Sequence, residues 1–228
     1  MKIIKKSVLV LSITMLHFVS NAAIITVSNN PNVPGQYTSL QAAIDAAAPD
    51  DTLYVQGSTT SYGSVDLYKK LTLIGAGSMP NKSLSLPSLV DNIYIKYNAN
   101  GTSNGSGSSI SGFRMSGVTF QSYQNSNGVI LTINNVTLSR NFVLGIGNGG
   151  NLSLYSTYSG ITISNNYIRS ISFNALGSGS VIKNNIIQDG ISSTGGINSG
   201  NWLVLNNVIH YSMSSITNGV FINTRYNM

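Results

Sequence analysis

Two carboxylates held close together are the minimum for acid–base cleavage of a glycosidic bond, and a calcium site wants several oxygen ligands. The chain has six acids, all Asp: Asp45, Asp50, Asp51, Asp66, Asp91 and Asp189. The first three crowd into residues 45–51, Asp66 and Asp91 follow singly, and Asp189 stands alone in the later half. This scatter predicts no metal-ligand set and no cofactor; calcium stays open, without a cluster to hold it. The absence of Cys removes a thiolate nucleophile, a disulfide and a Cys-based metal site. One column gathers other reactive types. Gln121, Arg169, Gln188 and His210 each follow the same six-residue pattern, with Asp189 beside the last three. Parallel strands stack about 4.8 Å apart, so adjacent rungs would bring these residues onto one outer edge. Arg169, Asp189 and His210 are therefore the catalytic candidates, Arg169 because its guanidinium can pair with a carboxylate ligand. Gln188, Tyr167 and Trp202 are the binding candidates, as an amide and two ring faces suited to sugars. Tyr94, Tyr97, Tyr123, Tyr155 and Tyr158 are further rings of this kind. The competing reading is an ordinary solvated turn column, with rings that pack the coil or decorate loops.

Composition limits what can carry such a column. Charged residues make up 8% of the 228 residues, Glu is absent, and hydrophobic residues reach 42%. A helical bundle would need more Glu and Lys on its exposed faces, and a disordered chain less apolar content. The N-terminus reads as an export signal over residues 1–22: Lys2, Lys5 and Lys6, an apolar run over residues 8–19, then Ser20-Asn21-Ala22. That run falls short of the roughly 20 residues a membrane span requires. Removal of the signal lowers the formal charge from +6 to +3, too little for a nucleic-acid footprint. With no Cys for a lipid anchor, the expectation is a secreted or cell-surface protein without a membrane span.

After a strand at Ile24-Ile25-Thr26-Val27, the helical signal sits at residues 38–48. Thr38-Ser39-Leu40-Gln41 fits an S/T-x-x-Q capping box, Leu40, Ala43, Ile44 and Ala47 form one apolar stripe, and Pro49 stops the helix. The rest is short apolar runs separated by Gly, Ser and Asn, including a polar stretch at Asn98 to Ser109 that reads as a flexible loop or a cleft wall. Five segments superpose without gaps: residues 115–120, 133–138, 163–168, 182–187 and 204–209, with starts offset by 18, 30, 19 and 22. A period of about 20 to 25 residues signals a solenoid. Each unit is apolar at both ends, with Asn or Gly where the chain must turn. Asn165, Asn166, Asn184, Asn185, Asn206 and Asn207 form doublets whose side chains can stack into a ladder.

These doublets resemble those of right-handed parallel β-helices of the pectate-lyase-like superfamily. The opening is similar too: Tyr37 to Ala48, then Asp51-Thr-Leu-Tyr-Val55, then Lys70-Leu-Thr-Leu-Ile-Gly-Ala-Gly77. The resemblance implies an all-β, right-handed parallel β-helix over residues 23–228, with a short N-terminal cap helix and its clearest repeats at 113–209. It also implies polysaccharide chemistry, since lyases of that superfamily pair calcium-binding acids with an Arg or Lys base, and its glycosidases use clustered Asp. No catalytic motif of either kind is matched. A left-handed β-helix would want a strict hexapeptide repeat, and an outer-membrane barrel longer alternating strands. The expected function is an exported, non-catalytic surface or extracellular module contacting polysaccharide. The alternatives are a polysaccharide lyase or glycoside hydrolase, or an N-terminal fragment of one, and a structural or adhesive solenoid. The final strand pattern, Gly219 to Asn223, is followed by no cap pattern before Met228. That raises the expectation of a truncated chain, or of end-to-end or downstream-domain contact at the last rung.

Overall fold

Apolar residues alternating with polar ones over three to nine positions can bury one face only if another strand covers them, and here the covering strand is the next turn of the same chain. The computed structural model describes residues 22–77, 86–149, 158–173, 176–193, 202–210, 212–214, 219–222 and 225–226. The expected export signal at residues 1–22 lies outside these residues except for Ala22, and so does Tyr155. Among the described residues one helix, α1 (Leu40–Ala46), accompanies twenty strands. The first nine are β1 (Ile24–Val27), β2 (Thr52–Val55), β3 (Val65–Leu67), β4 (Thr72–Gly75), β5 (Ser88–Ile95), β6 (Ser109–Ser111), β7 (Phe113–Gln121), β8 (Tyr123–Gln124) and β9 (Ile130–Leu131). Then come β10 (Thr137–Ser139), β11 (Phe142–Gly149), β12 (Thr162–Ser164), β13 (Tyr167–Phe173), β14 (Val181–Lys183) and β15 (Ile186–Ser193). The chain continues through β16 (Trp202–Leu205), β17 (Val208–Ile209), β18 (Ser212–Ser214), β19 (Gly219–Ile222) and β20 (Arg225–Tyr226).

The strands form a parallel β-solenoid. One sheet runs β1-β2-β4-β6-β10-β12-β14-β16-β19, the other β3-β5-β7-β11-β13-β15-β17-β20, with β18 also beside β15. All pairings in both are parallel, so each turn of chain contributes a strand to each sheet. The exception is the small antiparallel hairpin β8-β9, which stands off the coil. Ile25, Leu53, Leu73, Ile110, Leu138, Ile163, Ile182 and Val204 occupy one position of successive rungs, and all are buried. Val65, Ile93, Val118, Ile146, Ile171 and Ile191 form the facing column. Each such side chain contributes about 1.5–3 kcal/mol of burial, and each rests on a like neighbour above and below.

The register corrects the repeat alignment. Ile110, Leu138, Ile163, Ile182 and Val204 are in register, as are Met115, Val143, Ile168, Ile187 and Ile209. The true units are therefore 110–115, 138–143, 163–168, 182–187 and 204–209; the segments at 115–120 and 133–138 were out of step by five residues. Their apolar ends match the pattern, but Met115 belongs to the second sheet and Ile133 to the connection before the first. Correct alignment puts Arg140-Asn141 on the corner held elsewhere by Asn165-Asn166, Asn184-Asn185 and Asn206-Asn207.

At that corner the two residues divide the work. Arg140, Asn165, Asn184 and Asn206 take left-handed backbone angles, φ 52–57°, and the three Asn side chains are exposed. Asn141, Asn166, Asn185 and Asn207 are buried, 1–3% exposed, and make the ladder. Asn185 shows the bonding in full. Its Oδ1 accepts from Asn166 N (2.9 Å) and Asn166 Nδ2 (3.0 Å), its own N and Nδ2 donate to Asn207 Oδ1 (both 2.9 Å), and its Nδ2 also donates to the Ile163 carbonyl (2.9 Å). Asn166 and Asn141 repeat this, and the series ends where Phe113 N donates to Asn141 Oδ1 at 3.0 Å.

The cap helix is shorter than residues 38–48. Ser39, not Thr38, is its N-cap, with Oγ accepting from Ala42 N at 3.3 Å, and Ala47 is already extended two residues before Pro49. Gln41 is unavailable for a capping box because its amide pairs with the backbone of β3: Oε1 accepts from Asp66 N (2.7 Å) and Nε2 donates to Asp66 O (3.3 Å). Leu40, Ala43 and Ile44 face the core.

Asn166→Ala should lower stability by at least about 3 kcal/mol, since several buried groups at about 1–3 kcal/mol each lose their partner. Asn165→Gly should change it by less than about 1 kcal/mol, because glycine adopts the same backbone angle freely. Urea unfolding of the two variants checks this.

Candidate functional site

The column that follows the ladder corner lies on the outer face of the second sheet. Arg169, Gln188 and His210 are exposed there, and Arg169 Nε donates to Asp189 Oδ2 at 2.7 Å. The register slips between Ile168 and Ser170 against β15, which brings Asp189 within reach of Arg169. Both partners are solvent-exposed, 59% and 40% at the side chain, so the pair is worth less than about 1 kcal/mol. One Asp beside one Arg supplies no second carboxylate. Tyr167 stacks on Phe142, centroids 5.0 Å apart and planes 5° apart, while Arg114 covers Phe142 at 5.0 Å. One face of the Tyr167 ring is thus taken by the neighbouring rung. Trp202 is 1% exposed and packs in the core, so it offers no ring face to a ligand. Tyr158 is likewise buried, beside Phe120 and Phe173.

A concave site exists elsewhere, nearer the cap. Tyr68, Lys96 and Gln121 directly follow Leu67, Ile95 and Phe120, which are in register on three successive rungs. Two steps of about 4.8 Å make a floor about 10 Å long. These residues, with Asp66, line a cleft of about 600 Å³ whose walls are residues 97–100 and Ser122-Tyr123. The stretch from Asn98 is ordered by Asn98 itself: Oδ1 accepts from Thr102 N (2.9 Å) and Ser103 N (3.2 Å), and Ser103 Oγ donates to the Tyr68 carbonyl (2.6 Å). That fixes Tyr97, whose hydroxyl donates to the Thr132 carbonyl (3.3 Å) and whose ring stacks on Tyr123 with centroids 5.7 Å apart. Tyr123 begins the β8-β9 hairpin. Its ring passes so close to Gly101 (φ +67°) that a Cβ there would lie 2.3 Å from Cε1.

The electrostatics of the cleft are internally closed. Lys96 Nζ sits 2.6 Å from Asp66 Oδ2. Tyr68 Oη donates to Asp45 Oδ1 (2.5 Å), which also accepts from Gln41 Nε2 (2.7 Å), so the cap helix and the cleft floor share one carboxylate. The Asp45 hydrogen bond, with burial adding to it, pushes the Tyr68 phenol up to about 12. Burial also raises Tyr97. Among the described residues no three His, Cys, Asp or Glu side chains gather to hold a metal ion.

Tyr97, Tyr123, Gln121 and the Asn98 wall stand among the features singled out in the sequence, Gln121 as a member of the Arg169 column, from which the register separates it by five residues. Asp66, Tyr68 and Lys96 were missed. Their convergence depends on rung spacings of 28 and 25 residues in the part of the chain where the repeat has no Asn doublet to mark it. Compared with known proteins, the chain matches no family model, no curated protein and no solved structure. The functional reading therefore rests on the residues of the cleft.

The Tyr68–Asp45 bond predicts an alkaline signature. Its contribution to stability is present in full below the ordinary tyrosine value of 10.0 and is lost as pH rises towards about 12, because the unfolded chain gives up its phenol proton first. Tyr68→Phe should flatten this part of the stability curve, measured by urea unfolding at pH 9 to 12.

Proposed function

We propose that the chain is an exported module that holds polysaccharide in the Tyr97–Tyr123 cleft without cleaving it. The observation that carries this is the pair of tyrosine rings lining a cleft whose floor presents side chains at the strand repeat. Ring faces suit the C–H face of a sugar, and amides and hydroxyls placed at intervals suit its hydroxyl groups. A floor of about 10 Å is long enough for about two sugar units, taking each as roughly one strand spacing. Retention rather than cleavage is favoured because the cleft lining contains one carboxylate, Asp66, tied to Lys96.

The export signal at residues 1–22 supports the extracellular setting. The right-handed winding and the pectate-lyase-like kinship belong to the same proposal and rest on the opening at residues 37–77 and on the Asn corners. The modest positive charge left after signal removal speaks for a glycan rather than a nucleic acid. Among the described residues no helix is long and apolar enough to cross a membrane.

Affinity electrophoresis through gels containing plant, algal or bacterial polysaccharides tests the reading. At least one polysaccharide should retard the protein. Tyr123→Ala and Tyr97→Ala should each weaken that retardation by about tenfold, equivalent to about 1.4 kcal/mol, and Tyr97→Phe by much less. Arg169→Ala, on the far column, should leave it unchanged. Release of unsaturated or reducing products would favour the lyase or hydrolase alternative. Cell-surface retention without glycan binding would favour the adhesive one.

A further inference from the structure

We propose that the cleft selects uncharged glycans over polyuronates, and that Asp66 sets this selection by neutralising Lys96. The inference rests on the glycan reading of the cleft and adds the class of sugar it takes. The cleft lining contains one cation and one anion, and they face each other at 2.6 Å, with side chains 31% and 41% exposed. The neighbouring cations are also committed within the chain. Lys69 Nζ donates to the carbonyls of Asp45 (3.0 Å) and Ala47 (2.8 Å) at the end of α1, and Lys70 pairs with Asp50 (2.5 Å). A uronate carboxylate seeking Lys96 must displace Asp66, and the displaced carboxylate would then face the charge of the ligand. Like charges so placed are a repulsive device against the wrong partner. The side-chain amides of Asn100 and Gln121 line the same cleft and make no hydrogen bond with the other described residues. An amide donates and accepts, which matches a sugar hydroxyl and gives no preference for a carboxylate.

The discriminating measurement is the ratio of affinities for oligogalacturonate and for the best-bound oligosaccharide of a neutral panel (β-glucan, xylan, mannan, galactan), by titration calorimetry on the full chain. Wild type should favour the neutral ligand by at least about tenfold. Asp66→Asn is nearly isosteric and leaves Lys96 unpaired; it should shift the ratio towards oligogalacturonate by at least about tenfold, with the shift shrinking as salt rises. Adding Lys96→Met to Asp66→Asn should abolish the shift. Thermal unfolding of each variant shows whether it is folded. A wild type that prefers oligogalacturonate, or a folded Asp66→Asn variant with an unmoved ratio, would overturn the inference and leave the cleft reading standing. A wild type that binds none of these ligands would overturn both.

Discussion

Asn207, Asn185, Asn166 and Asn141 stand at the same corner of successive rungs, all buried; Asn185, Asn166 and Asn141 have their donors and their acceptor bonded, and Asn207 accepts from Asn185 and donates to the Ile182 carbonyl. A buried amide without partners costs several kcal/mol, so the corner tolerates Asn only when the next rung supplies another at the right height. This makes the column a register device. A slip of one residue would turn the inward aliphatic set outward and strand the amides at the same time. The exposed partner at each corner supplies the left-handed backbone angle, which is why Arg140 can stand there in place of Asn while the buried position stays Asn throughout.

The ladder begins at Phe113, two rungs after the cleft floor begins. The earlier rungs hold their spacing by other means, and those means are what open the cleft. Ser88 and Ser108 are buried hydroxyls that bridge rungs: Ser88 Oγ joins the Val55 carbonyl (2.7 Å) to Ala76 N (2.8 Å), and Ser108 Oγ joins the Lys69 carbonyl (3.3 Å) to Leu71 N (3.1 Å). A hydroxyl ties one place, whereas an Asn column ties every rung. Connections here are accordingly free to lengthen, into the Asn98 turn and the β8-β9 hairpin, and these two excursions wall the cleft. The cap helix completes it through Gln41 and Asp45.

The solenoid was legible because its determinants are local and repeated. An aliphatic residue two positions before an Asn doublet and another two positions after it are visible in the chain without knowing what they touch. Rung alignment failed where the doublet degenerated to Arg140-Asn141 and a matching apolar spacing lay five residues upstream. The site was half legible. Tyr97 and Tyr123 are identifiable as rings, but what makes them a site is Lys96, Asp66 and Tyr68 arriving from other rungs. Trp202 is equally conspicuous in sequence, and only packing places it in the core. The Arg169–Asp189 contact follows from a register slip in β13 against β15 that no alternation of residue types marks.

Amide hydrogen exchange followed residue by residue tests most directly whether the buried amides set the coil. The N–H groups of Asn141, Asn166 and Asn185, each donating to the side chain of the next Asn, should be among the slowest in the chain and should open together with those of Ile163 and Ile182 in the strands they join. Exchange at these three positions as fast as at exposed connections, while the strands stay protected, would mean that the aliphatic bore alone fixes the rungs and that the ladder is incidental.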